Sequence, residues 1–309
     1  MSALEIIAPV FAMMFLGYCL GWTRFFPPDA ARALMRFVWY VAIPALMFKS
    51  LAGKGVPDDG EVISLFGYYV ALYAVYLLTI LILLWGFKIK GAENAMLTLT
   101  AVFSNGGFIG IPVILSAFGE EGLHILLLIL SFHSMTLVPL TTFLVVRDQQ
   151  SENSALVVLF QSFKSVLQSP LILALLAGMT VSIMGWQIPS VIDRFLAMPA
   201  DAAAPCGLFA AGAALARVRL QGDLVPAFFL SAVKLAILPL SVYVFGVYVF
   251  NLPTLWVTVA TIFASMPTGS VAYSMAENYG LAPRRAASVV LISTGLSMIS
   301  LSFIVEWLR

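Results

Sequence analysis

The sequence predicts an all-α integral membrane protein in which ten transmembrane helices form two inverted repeats of five. The chain of 309 residues is 61% hydrophobic and only 10% charged, with a mean hydropathy of +1.02. Soluble domains carry roughly a quarter of their residues as charged ones. Apolar segments long enough to cross a bilayer recur throughout the chain, and prolines repeat at a nearly constant offset between its two halves.

Ten apolar segments reach the length of about 20 residues that one bilayer crossing requires. They are predicted at residues 4–22, 33–52, 62–86, 93–118, 122–146, 166–186, 194–215, 224–250, 253–279 and 284–307. No basic residue precedes Arg24, so we expect the first segment to be a retained span and not a cleaved signal peptide. Cys19 and Cys206 both lie in apolar segments and indicate neither a disulfide scaffold nor a metal site.

Matched prolines indicate that the two halves are repeats. Pro9 and Pro170 are 161 residues apart, Pro44 and Pro205 are also 161 apart, and Pro112 and Pro267 are 155 apart. Together these pairs predict a first repeat over residues 1–146, a cytoplasmic linker over 147–165, and a second repeat over 166–309. Because five is odd, the second repeat enters the membrane upside down.

Positive charges indicate the orientation of the spans. Eleven basic residues follow odd-numbered spans: Arg24, Arg32, Arg36, Lys88, Lys90, Arg147, Lys164, Arg217, Arg219, Arg284 and Arg285. Four lie on the opposite side: Lys49, Lys54, Arg194 and Arg309. Cytoplasmic loops are enriched in lysine and arginine, so both termini are predicted to be extracytoplasmic.

Spans 4 and 9 carry residues that a continuous transmembrane helix avoids. The run AVFSNGGFIGIPVILSA at 101–117 combines glycines with Asn105 and Pro112, and the run SMPTGS at 265–270 interrupts span 9. Proline removes an amide donor and clashes with the carbonyl four residues back. Irregular backbone at membrane depth persists only where protein covers it or it lines a cavity. Both spans are therefore predicted to be discontinuous.

Paired breaks of this kind predict a binding site. Each break leaves unpaired amides at the start of its second half-helix, which suit a carboxylate, and unpaired carbonyls at the end of its first, which suit a cation. The alternative is that both segments are kinked packing helices. The predicted substrate-binding residues are Asn105, Gly106, Gly107, Gly110, Pro112, Ser265, Pro267, Thr268, Gly269 and Ser270.

Three ionisable residues inside spans are candidates for a charge or coupling role. Lys234 is a cation well inside span 8 and should have a partner, for which Asp201 is the first candidate and Asp193 the second. This pair would either be structural or attract an anion. His133 could carry a coupling proton, or it could be satisfied by a backbone carbonyl.

Several runs resemble the bacterial branch of the auxin efflux carrier family. They are VAIPALMFKSLA at 41–52, SNGGFIGIPV at 104–113, AAAPCGLFAAGAAL at 202–215, Lys234 with Pro239, and SMPTGS at 265–270. The resemblance covers nearly the whole chain. It implies an inner-membrane carrier, often a homodimer, in which the discontinuous spans 4 and 9 cross. It also implies a scaffold from spans 1, 2, 6 and 7, a transport part from spans 3–5 and 8–10, and elevator-type alternating access.

The resemblance also implies a small organic anion as substrate, such as malonate, malate or an auxin-like acid. The architecture is shared with sodium-coupled bile acid symporters, so coupling to H⁺ or Na⁺ stays open, and a channel is the main alternative. No metal-ligand spacing, phosphate loop or Walker lysine indicates an enzyme, a cofactor or a nucleic-acid partner. An intramembrane protease would need a constellation that the scattered serines and His133 do not form.

Overall fold

The computed structural model describes residues 3–52, 57–149 and 155–309, and these residues are helical almost throughout. The helices are α1 (Ala3–Gly21), α2 (Pro28–Phe37), α3 (Ile43–Ala52), α4 (Asp59–Trp85), α5 (Gly91–Val102), α6 (Ile111–Asp148), α7 (Ala155–Leu167), α8 (Pro170–Ile183), α9 (Ser190–Leu215), α10 (Leu224–Ala232), α11 (Leu238–Val244), α12 (Thr254–Ala264), α13 (Ser270–Tyr279) and α14 (Pro283–Leu308). Wider π-helical turns occupy Val38–Ala42, Gly106–Gly110, Val233–Ile237 and Phe245–Val249.

Seven helical segments of the described chain are long and apolar enough to span a membrane. They are Ala3–Gly21, Pro28–Ala52, Asp59–Trp85, Gly106–Asp148, Ser190–Leu215, Leu224–Val249 and Pro283–Leu308. Two shorter apolar helices, α8 and α12, lie within the predicted spans 6 and 9. The protein is therefore a multi-pass membrane protein, and the arrangement of ten spans in two inverted repeats stays a prediction.

The difference from ten spans lies mainly in the middle of the chain. Predicted spans 4 and 5 meet in one long helix, α6, which is kinked at Gly119 (φ 61°, ψ −155°). Only glycine adopts such a conformation readily, so a single residue turns the chain there. The predicted linker 147–165 contains most of α7, while its residues 150–154, like Lys54, lie outside the described residues.

Contacts divide the chain into two compact units. The first comprises Met1–Val62, Gly107–Ser131 and Leu167–Arg217, and the second comprises Ile63–Gly106, Phe132–Val166 and Val218–Arg309. The segment Gly107–Ser131, from predicted spans 4 and 5, falls in the first unit together with predicted spans 1, 2, 6 and 7. The division into scaffold and transport parts stays a prediction.

The first unit is built on close contact between α1 and α9 and between α3 and α8. A side chain at Gly17 would overlap the backbone of Phe209, and one at Gly212 would overlap the backbone of Met14. Small residues at such positions let helix backbones approach closely, which is how helices associate in membranes. Within this unit, the partly buried Glu61 pairs with the buried His124 at 3.1 Å.

In the second unit, α10 packs against α14, α11 against α12, and α13 against both α5 and α14. Asp148 accepts a hydrogen bond from the amide of Ala92 (2.8 Å) and so caps α5, whose first turn would otherwise leave that donor unpaired. Arg285 of α14 donates to Glu93 of α5 at 2.5 Å. These contacts fix α5, α13 and α14 around the two breaks described next.

Candidate binding site at the helix crossing

Two helices of the second unit end where the sequence predicts interruption. Helix α5 ends at Val102, and Phe103 is extended (φ −77°, ψ 107°). Helix α12 ends at Ala264, and α13 begins six residues later at Ser270. The predicted interruption of both segments is confirmed.

The position of the first break differs from the prediction. A break was expected just before Pro112, but the chain leaves helical geometry at Phe103, and Pro112 lies in the first turn of α6. The π-helical turn Gly106–Gly110 runs directly into α6, so Pro112 lies inside one helical segment, Gly106–Asp148. Pro112 therefore does not end α5.

The two breaks are joined to each other by backbone hydrogen bonds. Ser104 and Thr268 form an antiparallel bridge. On one side of it the amide of Asn105 donates to the carbonyl of Pro267 (2.9 Å), and on the other the amide of Gly269 donates to the carbonyl of Phe103 (2.9 Å). The two broken segments meet at this bridge. It satisfies backbone groups that would be costly to leave unpaired inside a membrane.

Two predicted binding residues have hydroxyls that are already used inside the fold. Thr268 donates its hydroxyl to the carbonyl of Thr100 (2.8 Å), and its amide donates to Ser293 Oγ (3.1 Å). Ser265 donates to the carbonyl of Ile262 (2.7 Å). Both side chains are fully buried. The Thr268 hydroxyl links the two broken segments, the Ser265 hydroxyl binds within its own helix, and neither is left to donate to a ligand.

Other groups at the crossing are available. The side chains of Asn105 and Ser270 are half-buried, and neither makes a hydrogen bond within the described chain. The amides of Ser270 and Val271 open α13 without an acceptor among the described residues. A helix start carries a partial positive charge. We call the segment that follows α5 and the segment that joins α12 to α13 the two arms of the crossing. Hydrogen-bond donors without a partner in the described chain thus lie on both arms.

Gly269 lies where the two arms approach each other closely. A side-chain carbon at this position would lie 3.0 Å from the ring of Phe103 and 3.2 Å from the carbonyl oxygen of Ser104. Its φ of −73° is ordinary, so limited space and not backbone conformation disfavours a larger residue.

The predicted partner of Lys234 is wrong. Its ammonium donates to Ser104 Oγ (2.8 Å) and to the carbonyl of Ala264 (2.5 Å), and it belongs to none of the ion pairs of the described chain. Asp193 pairs instead with Lys49 (3.0 Å). Asp201 is exposed on α9 in the first unit. Acceptors freed by the helix breaks replace the expected carboxylate.

His133 accepts a hydrogen bond from a backbone amide instead of donating one to a carbonyl. Its Nε2 receives the amide proton of Ser104 (3.0 Å), so this nitrogen carries no proton of its own. The ring lies between Phe103 and Phe263, with centroid separations of 4.9 and 5.0 Å, and is fully buried. A proton on Nε2 would break this bond, so the geometry favours a structural role over proton carriage.

The remaining predicted residues lie along the start of the second half of span 4. Gly106 begins a π-helical turn that ends at Gly110, and both are buried, as is Pro112. A side chain at Gly107 would meet Ile43 at 3.4 Å within the first unit. These residues shape the backbone and contribute no side-chain donor.

Ser104 is a residue of the candidate site that the sequence prediction missed. It bridges to Thr268, accepts from Lys234, and donates its amide to His133. It directly precedes Asn105 in a run already marked as a break, so a polar residue in that position was a usable signal. The carbonyl of Ala264 carries no such signal, because every residue has one.

Comparison with known proteins shows the family of the chain. The family model "Membrane transport protein" matches residues 2–305. The chain belongs to this family of membrane transporters. The match confirms the resemblance to auxin efflux carriers.

Relatives of this membrane transport protein come from bacteria and archaea. A protein of Rhizobium meliloti named "Putative malonate transporter" is 27% identical over 314 residues, covering 98% of this chain and 95% of the relative. An uncharacterized transporter of Methanothermobacter thermautotrophicus is 26% identical, covering 97% of both chains. The uncharacterized transporter YfdV of Escherichia coli is 25% identical over 251 residues.

Proposed function

We propose that this membrane transporter is a secondary carrier of small organic anions, with carboxylates such as malonate as the substrate class. The observation that carries the proposal is the crossing itself. Two broken helices are hydrogen-bonded together, and donors on both arms have no partner in the described chain. Broken helices that meet in this way form the substrate sites of many secondary transporters.

The donors at the crossing suit a carboxylate. The amides that open α13 can donate to an oxyanion, and the helix end favours negative charge by about 0.3–1 kcal/mol when exposed and up to roughly 2 when partly buried. The Asn105 amide and the Ser270 hydroxyl add side-chain donors. No aspartate or glutamate lies in 103–112 or 265–270 to repel an anion. The name of the Rhizobium meliloti relative, at 27% identity, also supports a dicarboxylate.

The rest of the proposal concerns how the carrier works in its membrane. We place it in a bacterial inner membrane with both termini extracytoplasmic, because the excess of basic residues follows odd-numbered predicted spans. Elevator-type movement of a transport part against a scaffold, and assembly as a homodimer, are proposed from the family resemblance.

Uptake by purified protein in liposomes tests the function. Radiolabelled malonate should accumulate in a saturable manner, and unlabelled malate or other small carboxylates should compete. Dimethyl malonate, which has the same skeleton without charge, should not compete. Uptake that never saturates would favour a channel, and competition by neutral analogues alone would contradict an anion site.

A further inference from the structure

Lys234 donates a hydrogen bond to a backbone carbonyl that the break in α12 leaves without its helical donor. Ala264 is the last residue of α12, and its carbonyl would normally accept the amide of Thr268, four residues on. That amide donates to Ser293 Oγ instead. The ammonium of Lys234 takes its place on Ala264 and also binds Ser104, so one side chain contacts both arms of the crossing.

The lysine is held by oxygens of the kind that bind a metal cation in related architectures. In many secondary transporters, carbonyls at the C-terminal ends of broken helices coordinate the coupling Na⁺. Here the carbonyl end of α12 and the hydroxyl of Ser104 already hold a cationic side chain. Lys234 is fully buried, and it lies in the π-helical turn Val233–Ile237. Widened turns of this kind are frequent at functional sites.

We propose that Lys234 is the resident cation of the crossing, a tethered charge that does there what a bound sodium ion would do. The inference rests on the proposed transport function and specifies that transport does not require sodium. The neighbourhood does not fit Na⁺, which needs several converging oxygens. Both oxygens are taken by the ammonium, a second cation beside it would be repelled, and no cluster of acidic, histidine or cysteine ligands occurs among the described residues.

The positive charge of Lys234 is also available to attract the substrate. An ammonium has three donors and no acceptor, and two of the three are used. Because no described carboxylate pairs with Lys234, its charge is balanced only by the negative end of α12. An anion bound at the crossing therefore meets a built-in positive charge.

The sodium requirement is tested first on the purified wild-type protein. Thermal unfolding is compared in sodium, potassium and choline chloride at equal ionic strength, because a ligand that binds only the folded state raises the unfolding temperature. We expect the same midpoint in all three salts and, in liposomes, the same uptake rate with sodium or potassium outside. A sodium-specific rise in the midpoint, or uptake that requires sodium, would overturn the proposal.

The role of the charge is tested by replacing the lysine. Lys234→Met keeps an unbranched side chain only one heavy atom shorter and removes the ammonium, and it should lower the initial uptake rate about tenfold or more. Lys49→Met removes a lysine from an ion pair of the first unit and should leave uptake unchanged. Equal uptake by Lys234→Met and wild type would overturn the proposal.

Chemical rescue separates charge from packing. Lys234→Ala leaves space for the missing part of the side chain, which n-propylammonium matches in length. We expect n-propylammonium to raise the thermal midpoint of this variant, whereas 1-propanol, neutral and of similar shape, should not. Equal rescue by both compounds, or by neither, would overturn the role of the charge. Since unfolding is measured without substrate, these results hold or fail separately from the proposed transport of carboxylates.

Discussion

At the scale of single residues, Asn105 is the side chain whose removal should affect the ligand most simply. Its side-chain amide has no hydrogen bond within the described chain, and its backbone amide, which donates to Pro267, is kept in Asn105→Ala, so the change removes a donor without breaking the crossing. We expect malonate binding to weaken by about 1–3 kcal/mol without being abolished, because the amides of α13 remain. Calorimetric titration of the purified protein measures the change.

Ser265→Ala is the matched control for Asn105→Ala. The Ser265 hydroxyl donates to a carbonyl of its own helix and is fully buried. Its removal should leave malonate affinity unchanged. If both variants lost the same affinity, the effect of Asn105→Ala would come from a disturbed fold and not from a lost ligand contact.

His133 gives a second prediction at this scale, on stability. His133→Phe keeps an aromatic ring between Phe103 and Phe263 but removes the acceptor of the Ser104 amide. A buried amide left without an acceptor costs about 1–3 kcal/mol. The variant should therefore unfold at a lower temperature than wild type, and an unchanged midpoint would show that the amide finds another partner.

At the scale of the helices, the close approach of the two arms depends on Gly269. Gly269→Ala adds a carbon 3.0 Å from the Phe103 ring, between arms held by backbone hydrogen bonds. We expect lower thermal stability and reduced uptake. Gly295→Ala, in α14, meets nothing within 4 Å, and alanine is favoured over glycine in helices by up to about 1 kcal/mol. This control should be neutral or slightly stabilising, and equal losses in both would contradict the crowding.

The sequence was sufficient to predict that both helices break. It was insufficient to show which contacts hold the two broken segments together. Gly106, Gly107 and Pro267 are local signals, because loose or amide-free backbone weakens a helix wherever it occurs. The bridge between Ser104 and Thr268 joins residues far apart in the chain. No local pattern encodes that pairing.

The error over Lys234 has a similar physical origin. A sequence displays carboxylates as candidate partners for a buried lysine, and Asp201 was the obvious one. It does not display carbonyls that lose their helical partner when a helix ends. Ala264 supplies such a carbonyl only because the Thr268 amide is bound to Ser293. The partner could be identified only from tertiary structure.

At the scale of the whole molecule, the charge distribution predicts orientation. Both termini should be extracytoplasmic, since basic residues concentrate after odd-numbered predicted spans. A fluorescent reporter that matures only in the cytoplasm, fused after Arg309, should stay dark. The same reporter fused after Lys90, at the end of the connection that follows predicted span 3, should be bright. A bright reporter after Arg309 would refute the orientation.

The central claim is that an anion binds where the two broken helices cross, and protection of a cysteine at Ser270 tests it most directly. In a background with Cys19→Ser and Cys206→Ser, which removes both native cysteines, Ser270→Cys places one thiol beside the first amides of α13. Malonate should slow its alkylation by a small maleimide, and dimethyl malonate should not. Unchanged alkylation by a protein that still takes up malonate would show that the anion binds elsewhere.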